Sequence, residues 1–325
     1  MISKRIVIRA LVATAIVVAM AGALRENWPA IARTAGQLDP RWLGVAFALC
    51  IAYRVANACG WPLVLGALRF HLPVVTGARI WLLSETMRWL PGSVWGFYSR
   101  VDQAKKAGVP ATAAAMSLPL ELLITVAAWT LTAAAGLGSC GFSSDWHPRI
   151  SGVRLLVAAS LALAGPTVLF LLARRFPANR FAKKARVFAG DLRAAWSAGP
   201  RVSMLIWAFA LYLLLCIVNG LAFCALVRGF THTPPSMPAL IGINAVGWLV
   251  GFFAIGSPGG LGARECGMTA LLIPLASLDV AIGSVLTWRL LQIAAEVACL
   301  AAYLLPHGAR SARNRLHPLA QIANF

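Results

Sequence analysis

The sequence contains, at residues 256–265, the stretch Gly256-Ser257-Pro258-Gly259-Gly260-Leu261-Gly262-Ala263-Arg264-Glu265, a glycine-rich break between two strongly apolar segments. Proline removes a backbone donor and the glycines let the chain turn. We therefore predict that a helix arriving from Ala239 stops here and that another begins near Gly262. Non-helical backbone inside a bilayer is tolerated only where protein or a water-filled cavity surrounds it. The stretch thus predicts a broken helix in a membrane protein.

A counterpart of this stretch occurs about half the chain earlier. It reads Trp89-Leu90-Pro91-Gly92-Ser93-Val94-Trp95-Gly96-Phe97-Tyr98-Ser99-Arg100. Both stretches carry Pro-Gly, a later glycine and then an arginine, with an apolar half-helix on each side. Paired interrupted segments at corresponding places in two halves are typical of transporter binding sites. The pair predicts a substrate site between the two breaks.

The composition is that of a polytopic helical membrane protein. The 325 residues are 60% hydrophobic and 12% charged, and the mean hydropathy is +0.77. Lys and Arg number 29 against 10 Asp and Glu, an excess that indicates cytoplasmic loops in contact with anionic lipid. The basic residues are spread through short loops and form no nucleic-acid-binding motif, so nucleic acid is not an expected partner.

The hydropathy pattern predicts an all-α fold with two inverted halves, each built from a span, a broken or re-entrant element and a second span. The limbs of the first break are too short to cross the ~30 Å hydrocarbon core. The predicted order is half one at 42–137, a connecting span at 153–173, a basic cytoplasmic loop at 174–201, half two at 202–305 and a basic tail at 306–325.

The ends of the chain set the predicted orientation. An apolar run at 10–24 follows Lys4, Arg5 and Arg9, and is either an uncleaved anchor, which we favour, or a signal peptide with the cleavage pattern Ala19-Met20-Ala21. Basic residues near the N-terminus, in the central loop and in the tail place both termini in the cytoplasm. The two breaks then enter from opposite sides of the membrane.

Two arginines beside the breaks are the candidate substrate-binding residues. The guanidinium groups of Arg100 and Arg264 offer forked donors to phosphate oxygens, half-helix N-termini add unpaired N–H groups, and glycine allows close approach of the backbone. The candidate headgroup site comprises Arg264, Arg100, Gly259, Gly260, Gly262, Glu265, Pro91, Gly92 and Gly96. The alternative is that both arginines are interfacial anchors or pair internally with Glu85, Glu265 or Glu296.

Other polar residues within spans are candidates for the pathway or for ion coupling, because charges there are costly and usually face a polar interior. They are Glu121, Arg289, Glu296, Glu85 and Arg88, with Glu121 and Glu296 as candidate proton carriers. Asn57, Asn219, Asn244 and Gln292 are expected to form hydrogen bonds between helices.

Enzyme functions have little support in the sequence. It contains no GxSxG, Walker, paired-acid or HExxH motif, and its cysteines and histidines have no metal-ligand spacing, so we expect no metal or cofactor. A membrane-embedded transferase with Glu121 or Glu265 as base is one alternative. A non-transporting partner of a lipid- or glycan-modifying enzyme is another.

The two breaks together resemble a flippase-like family named after the transmembrane region of lysylphosphatidylglycerol synthase. The second break matches the family signature Pro-Gly-Gly-x-Gly-x-Arg-Glu at 258–265, whereas the first departs from Pro-Gly-Gly, with Ser93 at the third position. The resemblance covers roughly residues 5–305. It implies a stand-alone member, without the soluble domain that adds the aminoacyl group.

The resemblance also implies a function and a location. The function is movement of a lipid or lipid-linked headgroup between leaflets, with an anionic lipid or a polyprenyl-linked molecule as substrate. The location is the bacterial inner membrane. No ATP-binding motif occurs, so we expect passive or ion-coupled movement.

Overall fold

The structure is a computed structural model that describes residues 36, 38–86, 94–138, 201–254, 260 and 262–322, with the backbone alone for 86, 94, 95 and 303–322. The described helices are α1 (Pro40–Ala58), α2 (Gly60–Ala67), α3 (Val74–Thr86), α4 (Val94–Lys106), α5 (Ala111–Gly138), α6 (Val202–Phe230), α7 (Met237–Phe253), α8 (Ala263–Leu272) and α9 (Leu278–Ile322). The first apolar run, the span at 153–173 and most of the basic loop lie outside the described residues.

The all-helical membrane fold predicted from the sequence is confirmed. Within the described residues, four helical segments are long and apolar enough to cross a membrane: Pro40–Ala67, Ala111–Gly138, Val202–Phe230 and Leu278–Ala302. Each corresponds to a predicted span. The helix of the last span does not end at 305 as expected, because its backbone continues to Ile322.

The first span has an internal turn. Asp39 caps α1 by accepting a hydrogen bond from the backbone N–H of Arg41 at 2.8 Å, and Cys59 then separates α1 from α2. Pro62 lies in the first turn of α2, where its missing N–H is tolerated. Beyond this turn, Trp61 of α2 is fully buried.

The limbs around the two breaks are short. The 13 residues of α3 and the 13 of α4 each span about 20 Å at ~1.5 Å per residue. In the second element α7 ends at Phe253, and α8 begins after Gly262. The predicted stop and restart are thus confirmed, while Pro91 and Pro258 themselves lie outside the described residues.

Helices from the two predicted halves pack directly on each other. A Cβ atom added at Gly136 of α5 would lie 2.7 Å from the Cα of Gly242 in α7, so the two backbones meet at a glycine pair, as in close-packed membrane helices. Trp129 of α5 also stacks on Trp248 of α7, with ring centroids 5.1 Å apart. These contacts bind the last span of half one to the broken element of half two. The inverted relation of the halves remains a prediction.

Candidate functional site

Arg100 lies at the centre of a buried charge network in half one. Its Nη1 donates to Oε2 of Glu121, its Nη2 donates to Oε1 of Glu85 at 3.3 Å, and its Nε donates to Oγ of Ser84 at 2.9 Å. The network joins α3, α4 and α5. Pairing with Glu85 was one of the alternatives in the sequence, and Glu121 adds a second carboxylate.

Two tryptophans cover the guanidinium group of Arg100. Its Cζ lies 5.5 Å from the ring centroid of Trp61 and 5.7 Å from that of Trp81, within the range of cation–π attraction. Trp61 is held in turn by Ser117, to which its Nε1 donates at 2.9 Å. Only 4% of Arg100 is exposed, so this conformation holds it away from any headgroup.

Glu121 is also bound by the other half of the chain. Its Oε1 accepts from Nε1 of Trp81 at 3.1 Å and from the hydroxyl of Tyr212 at 2.8 Å. Together with Arg100, these donors engage both carboxylate oxygens of Glu121. Neither Trp81 nor Tyr212 was selected from the sequence, because an apolar segment gives no sign of which aromatic side chain is a donor.

A second ion pair connects the first and last spans. Nη2 of Arg54 in α1 donates to Oε2 of Glu296 in α9 at 2.7 Å. A cavity of about 10 Å³ lies beside the pair, and the described residues that line it are Arg54, Leu82, Glu85, Glu296, Cys299 and Leu300. Arg54 was also missed by the sequence analysis. An arginine within the apolar span 42–66 is by itself a sign of a buried, paired charge, so it could have been selected.

In half two, the buried hydrogen bonds centre on a pair of asparagines. Nδ2 of Asn244 donates to Oδ1 of Asn219 at 2.9 Å, joining α7 to α6 and confirming the predicted hydrogen bonding between helices. Oδ1 of Asn244 accepts from Nε1 of Trp288 at 3.0 Å and from Nη2 of Arg264 at 3.5 Å. By contrast, Asn57 bonds within its own helix, donating to Tyr53 at 3.4 Å.

The second break depends on glycine for both its turn and its packing. Gly260 and Gly262 have φ angles of 71° and 83°, the region that glycine adopts with least strain. A Cβ at Gly260 would lie 2.6 Å from the carbonyl oxygen of Gly251, so a side chain is excluded there. Glu265 caps the restarted helix by accepting from the N–H of Gly262 at 2.7 Å, and its other oxygen lies 3.4 Å from Nε of Arg289.

The two arginines lie at the same distance in sequence from a glycine of the nearby break. Arg100 follows Gly96 by four residues, and Arg264 follows Gly260 by four. Each glycine lies against the backbone of the preceding limb, since a Cβ at Gly96 would approach the carbonyl oxygen of Ser84 to 2.8 Å. Arg100 is held by carboxylates. Arg264 is 8% exposed, and the amide of Asn244 is one of its contacts.

One face of α1 carries polar side chains. Cys50, Tyr53, Arg54 and Asn57 recur at the three- and four-residue spacing of a single helix face. The cavity beside Arg54 is also lined by Glu85 and Glu296, so the structure brings these two candidate residues together at this face of α1.

Some candidate residues remain untested. Gly259, Pro91, Gly92 and Arg88 lie outside the described residues. Within the described part of the chain, no group of three or more His, Cys, Asp or Glu side chains is arranged to hold a metal ion.

Residues 6–299 match the family described as the lysylphosphatidylglycerol synthase TM region. The chain belongs to this family. The match covers both breaks, every candidate site residue and all four candidate spans up to residue 299, and it confirms the resemblance noted in the sequence. Neither curated proteins nor solved structures gave a significant match. Membership places the chain among membrane proteins of the lipid-modification and flippase-like class.

Proposed function

We propose that the protein translocates an anionic, phosphate-bearing lipid or lipid-linked headgroup between leaflets. The observation that carries the proposal is the placement of Arg264. It is a buried cation on the first turn of a helix that restarts after the second break, four residues after Gly260, where the backbone of Gly251 leaves no room for a side chain. A phosphate there would meet a guanidinium fork and the N-terminal end of α8 together.

The packing of Arg264 also supports this role. Its aliphatic stem lies along α7, where a Cβ at Gly251 would come within 3.0 Å of the Cβ of Arg264. The side chain is thus fixed in direction by packing. Its guanidinium contacts the neutral Asn244 at 3.5 Å, the outer limit of a hydrogen bond. A phosphate would accept a stronger hydrogen bond from that donor than the amide oxygen does, because a hydrogen bond between two charged groups is stronger than one to a neutral acceptor.

Arg100 has a different part in the proposal. Because its donors bind Glu121, Glu85 and Ser84, we assign it the task of holding the first break against α5 in this conformation. It would contact a headgroup only after these bonds open. The two breaks then serve as gates that alternate between a closed, internally paired arginine and an open, phosphate-bound one.

A lipid-movement assay tests the proposal. The full-length protein is reconstituted in vesicles with a trace of fluorescent phospholipid whose headgroup is a phosphodiester, and a membrane-impermeant reductant reports the fraction of dye that reaches the outer leaflet. We expect the wild type to expose the inner-leaflet dye and the Arg264→Gln variant to lose this activity. The matched control is Arg79→Gln, which changes an exposed arginine of α3.

Two results of this assay would contradict the proposal. If wild-type vesicles behave like protein-free vesicles, the translocase proposal is overturned in favour of a partner of a lipid- or glycan-modifying enzyme. If Arg264→Gln moves lipid as fast as the wild type, the assignment of Arg264 is wrong.

A further inference from the structure

The end of α2, the end of α4 and the start of α6 lie at the same end of the molecule. The backbone N–H of Arg201, which precedes α6, donates to the carbonyl oxygen of Ala67, the last residue of α2, at 3.0 Å. Leu72, which follows α2, and Val109, which follows α4, are buried in one hydrophobic cluster. The loops after α2 and α4 therefore meet beside the start of α6.

This end of the molecule is rich in exposed basic side chains. Arg69, Lys105, Lys106 and Arg201 are all exposed, and we call these four residues the basic end surface. Residues 68–73, 102–110 and 201 include one acid, Asp102, whose Oδ2 lies 2.6 Å from Nζ of Lys106. These segments therefore carry an excess of positive charge.

The basic end surface lies at the level of lipid headgroups. The span Pro40–Ala67 has 28 residues and the span Val202–Phe230 has 29, so at ~1.5 Å per residue they are about 42 and 44 Å long. A bilayer with its headgroup regions is about 40–45 Å thick. Arg69 and Arg201 lie just beyond the ends of these helices, and are therefore placed beside lipid phosphates rather than in hydrocarbon.

Arg69 occupies a backbone position at which glycine is usual. At the end of α2, the N–H of Arg69 donates to the carbonyl oxygen of Gly66 at 3.0 Å. The N–H of Phe70 donates to the carbonyl oxygen of Leu65, also at 3.0 Å. This pair of bonds is the Schellman motif, whose left-handed residue is most often glycine. The helix α4 ends in the same motif with Gly108, at a φ of 88°, in that position.

The arginine at this position is held in a strained backbone conformation. Arg69 has a φ of 67° and is the one non-glycine residue with a positive φ in the part of the chain that the structure describes. Such positions are uncommon for residues with a side chain and are concentrated at binding sites. A guanidinium group has five N–H donors, so Arg69 can bind a lipid phosphate and keep a contact within the protein.

We infer that the basic end surface binds an anionic phospholipid of the adjacent leaflet, with Arg69 in contact with its phosphate group. Arginine donates paired hydrogen bonds to phosphate oxygens, and each further Lys or Arg beside an anionic lipid surface adds attraction. This contact is separate from Arg264, which is buried and follows the second break. The inference therefore does not depend on the proposed function.

The test is a binding measurement on the full-length protein in a zwitterionic detergent. A fluorescent short-chain phosphatidylglycerol is titrated with the protein, and anisotropy gives the Kd. Phosphatidylcholine with the same chains and dye is the comparison, because it has the same phosphodiester but no net charge. We expect the wild type to bind phosphatidylglycerol more tightly. This preference should fall as salt is added, because exposed charges are screened.

The decisive variants are Arg69→Gly and Arg69→Asn, which remove the charge but suit the left-handed position at the end of α2. Each should weaken phosphatidylglycerol binding about fivefold, the effect of one Lys or Arg beside an anionic lipid surface. The Tm should stay at or above the wild-type value, so the loss cannot be ascribed to unfolding. Arg69→Lys keeps the charge and should keep most of the affinity.

The matched control removes an exposed arginine from the other end of the first span. Arg41 begins that span, and its backbone N–H binds the carboxylate of Asp39. Arg41→Gln changes the net charge by the same amount as Arg69→Gly and should leave the Kd for phosphatidylglycerol unchanged. An equal loss of affinity in both variants would show that net charge alone sets the binding, and would overturn the assignment to the basic end surface.

The variant Arg264→Gln separates this surface from the proposed headgroup site. In that variant the fivefold effect of Arg69→Gly should persist, and its disappearance would mean that the lipid binds at the second break. Equal affinity of the wild type for the two lipids would also overturn the inference, as would an unchanged Kd in Arg69→Gly and Arg69→Asn. None of these results decides lipid translocation, which the vesicle assay measures by itself.

Discussion

Tyr212 and Glu121 join the two halves of the chain through a hydrogen bond of 2.8 Å between two buried side chains 91 residues apart in sequence. The phenol comes from the first span of half two and the carboxylate from the last span of half one. Arg54 and Glu296 are arranged the other way round, from the first span of half one to the last span of half two. Each half thus satisfies a buried carboxylate of the other.

Tyr212→Phe should lower thermal stability without changing the fold. It removes one of the donors to Glu121, and hydrogen bonds between membrane helices contribute about 0.6 kcal/mol on average and up to about 2 kcal/mol. We expect a lower Tm for the detergent-solubilised protein by scanning fluorimetry. Tyr98→Phe is the control, since Tyr98 is 68% exposed. An equal Tm for Tyr212→Phe and the wild type would contradict the role of this contact.

Arg100→Gln should be among the most damaging single substitutions. It removes the guanidinium group that binds the buried carboxylate of Glu121, and breaking a buried pair in this way costs about 3 to 5 kcal/mol. We expect a collapse of the monodisperse yield in size-exclusion chromatography. Adding Glu121→Gln to Arg100→Gln should recover part of the yield, because the double variant no longer buries the charge of Glu121.

The control for Arg100→Gln is a substitution in an exposed ion pair of α4. Nζ of Lys106 and Oδ2 of Asp102 lie 2.6 Å apart, but their side chains are 74% and 43% exposed. Exposed pairs at this spacing contribute about 0.3 to 0.5 kcal/mol. Lys106→Gln should therefore leave the yield unchanged, and a comparable collapse would show that the expression system, rather than burial, sets the outcome for Arg100.

Gly260→Ala should disrupt the second break. The new methyl group would lie 2.6 Å from the carbonyl oxygen of Gly251, and the residue has a φ of 71°. Backbone strain of this kind costs about 1 to 3 kcal/mol. We expect a reduced Tm and slower lipid movement. Gly44→Ala, at a helical position with open space around it, should be neutral or slightly stabilising, so equal effects at both positions would refute the steric argument.

Asn244→Asp tests whether a negative charge beside Arg264 prevents it from binding a headgroup phosphate. A carboxylate at this position would pair with Arg264 as Glu121 does with Arg100, and would compete with a headgroup phosphate. We expect a protein that folds, with a Tm within a few degrees of the wild type, but that moves little lipid. Unimpaired movement by a well-folded Asn244→Asp variant would contradict phosphate binding at Arg264.

The sequence predicted the four described spans and the second break well, because both depend on local properties. Hydropathy marks a helix that crosses a membrane, and proline with glycine marks the place where one stops. The restart of α8 after Gly262 and the buried arginine that follows it could be predicted on these grounds. So could the participation of Asn219 and Asn244 in hydrogen bonds between helices, since an amide in an apolar span needs a partner, but not that each is the partner of the other.

The partners of the buried charges could not be predicted in the same way. Glu121 binds Arg100, Trp81 and Tyr212, and these contacts depend on how four helices pack, which no sequence pattern specifies. Arg54 is a different kind of omission. Its position within an apolar span could be read from the sequence, but it lies far in sequence from the glycine-rich breaks near which the candidate binding residues were chosen.

The 242 residues between Arg54 and Glu296 also affect the order in which the protein is made. At a synthesis rate of ~5 to 20 residues per second, Arg54 leaves the ribosome roughly 12 to 50 s before its carboxylate exists. During that interval the first span carries a charge that the finished protein neutralises. Insertion of the chain therefore needs water, lipid headgroups or the insertion machinery to hold Arg54 until the last helix arrives, and a chain truncated before Glu296 lacks the residue that completes the assembly.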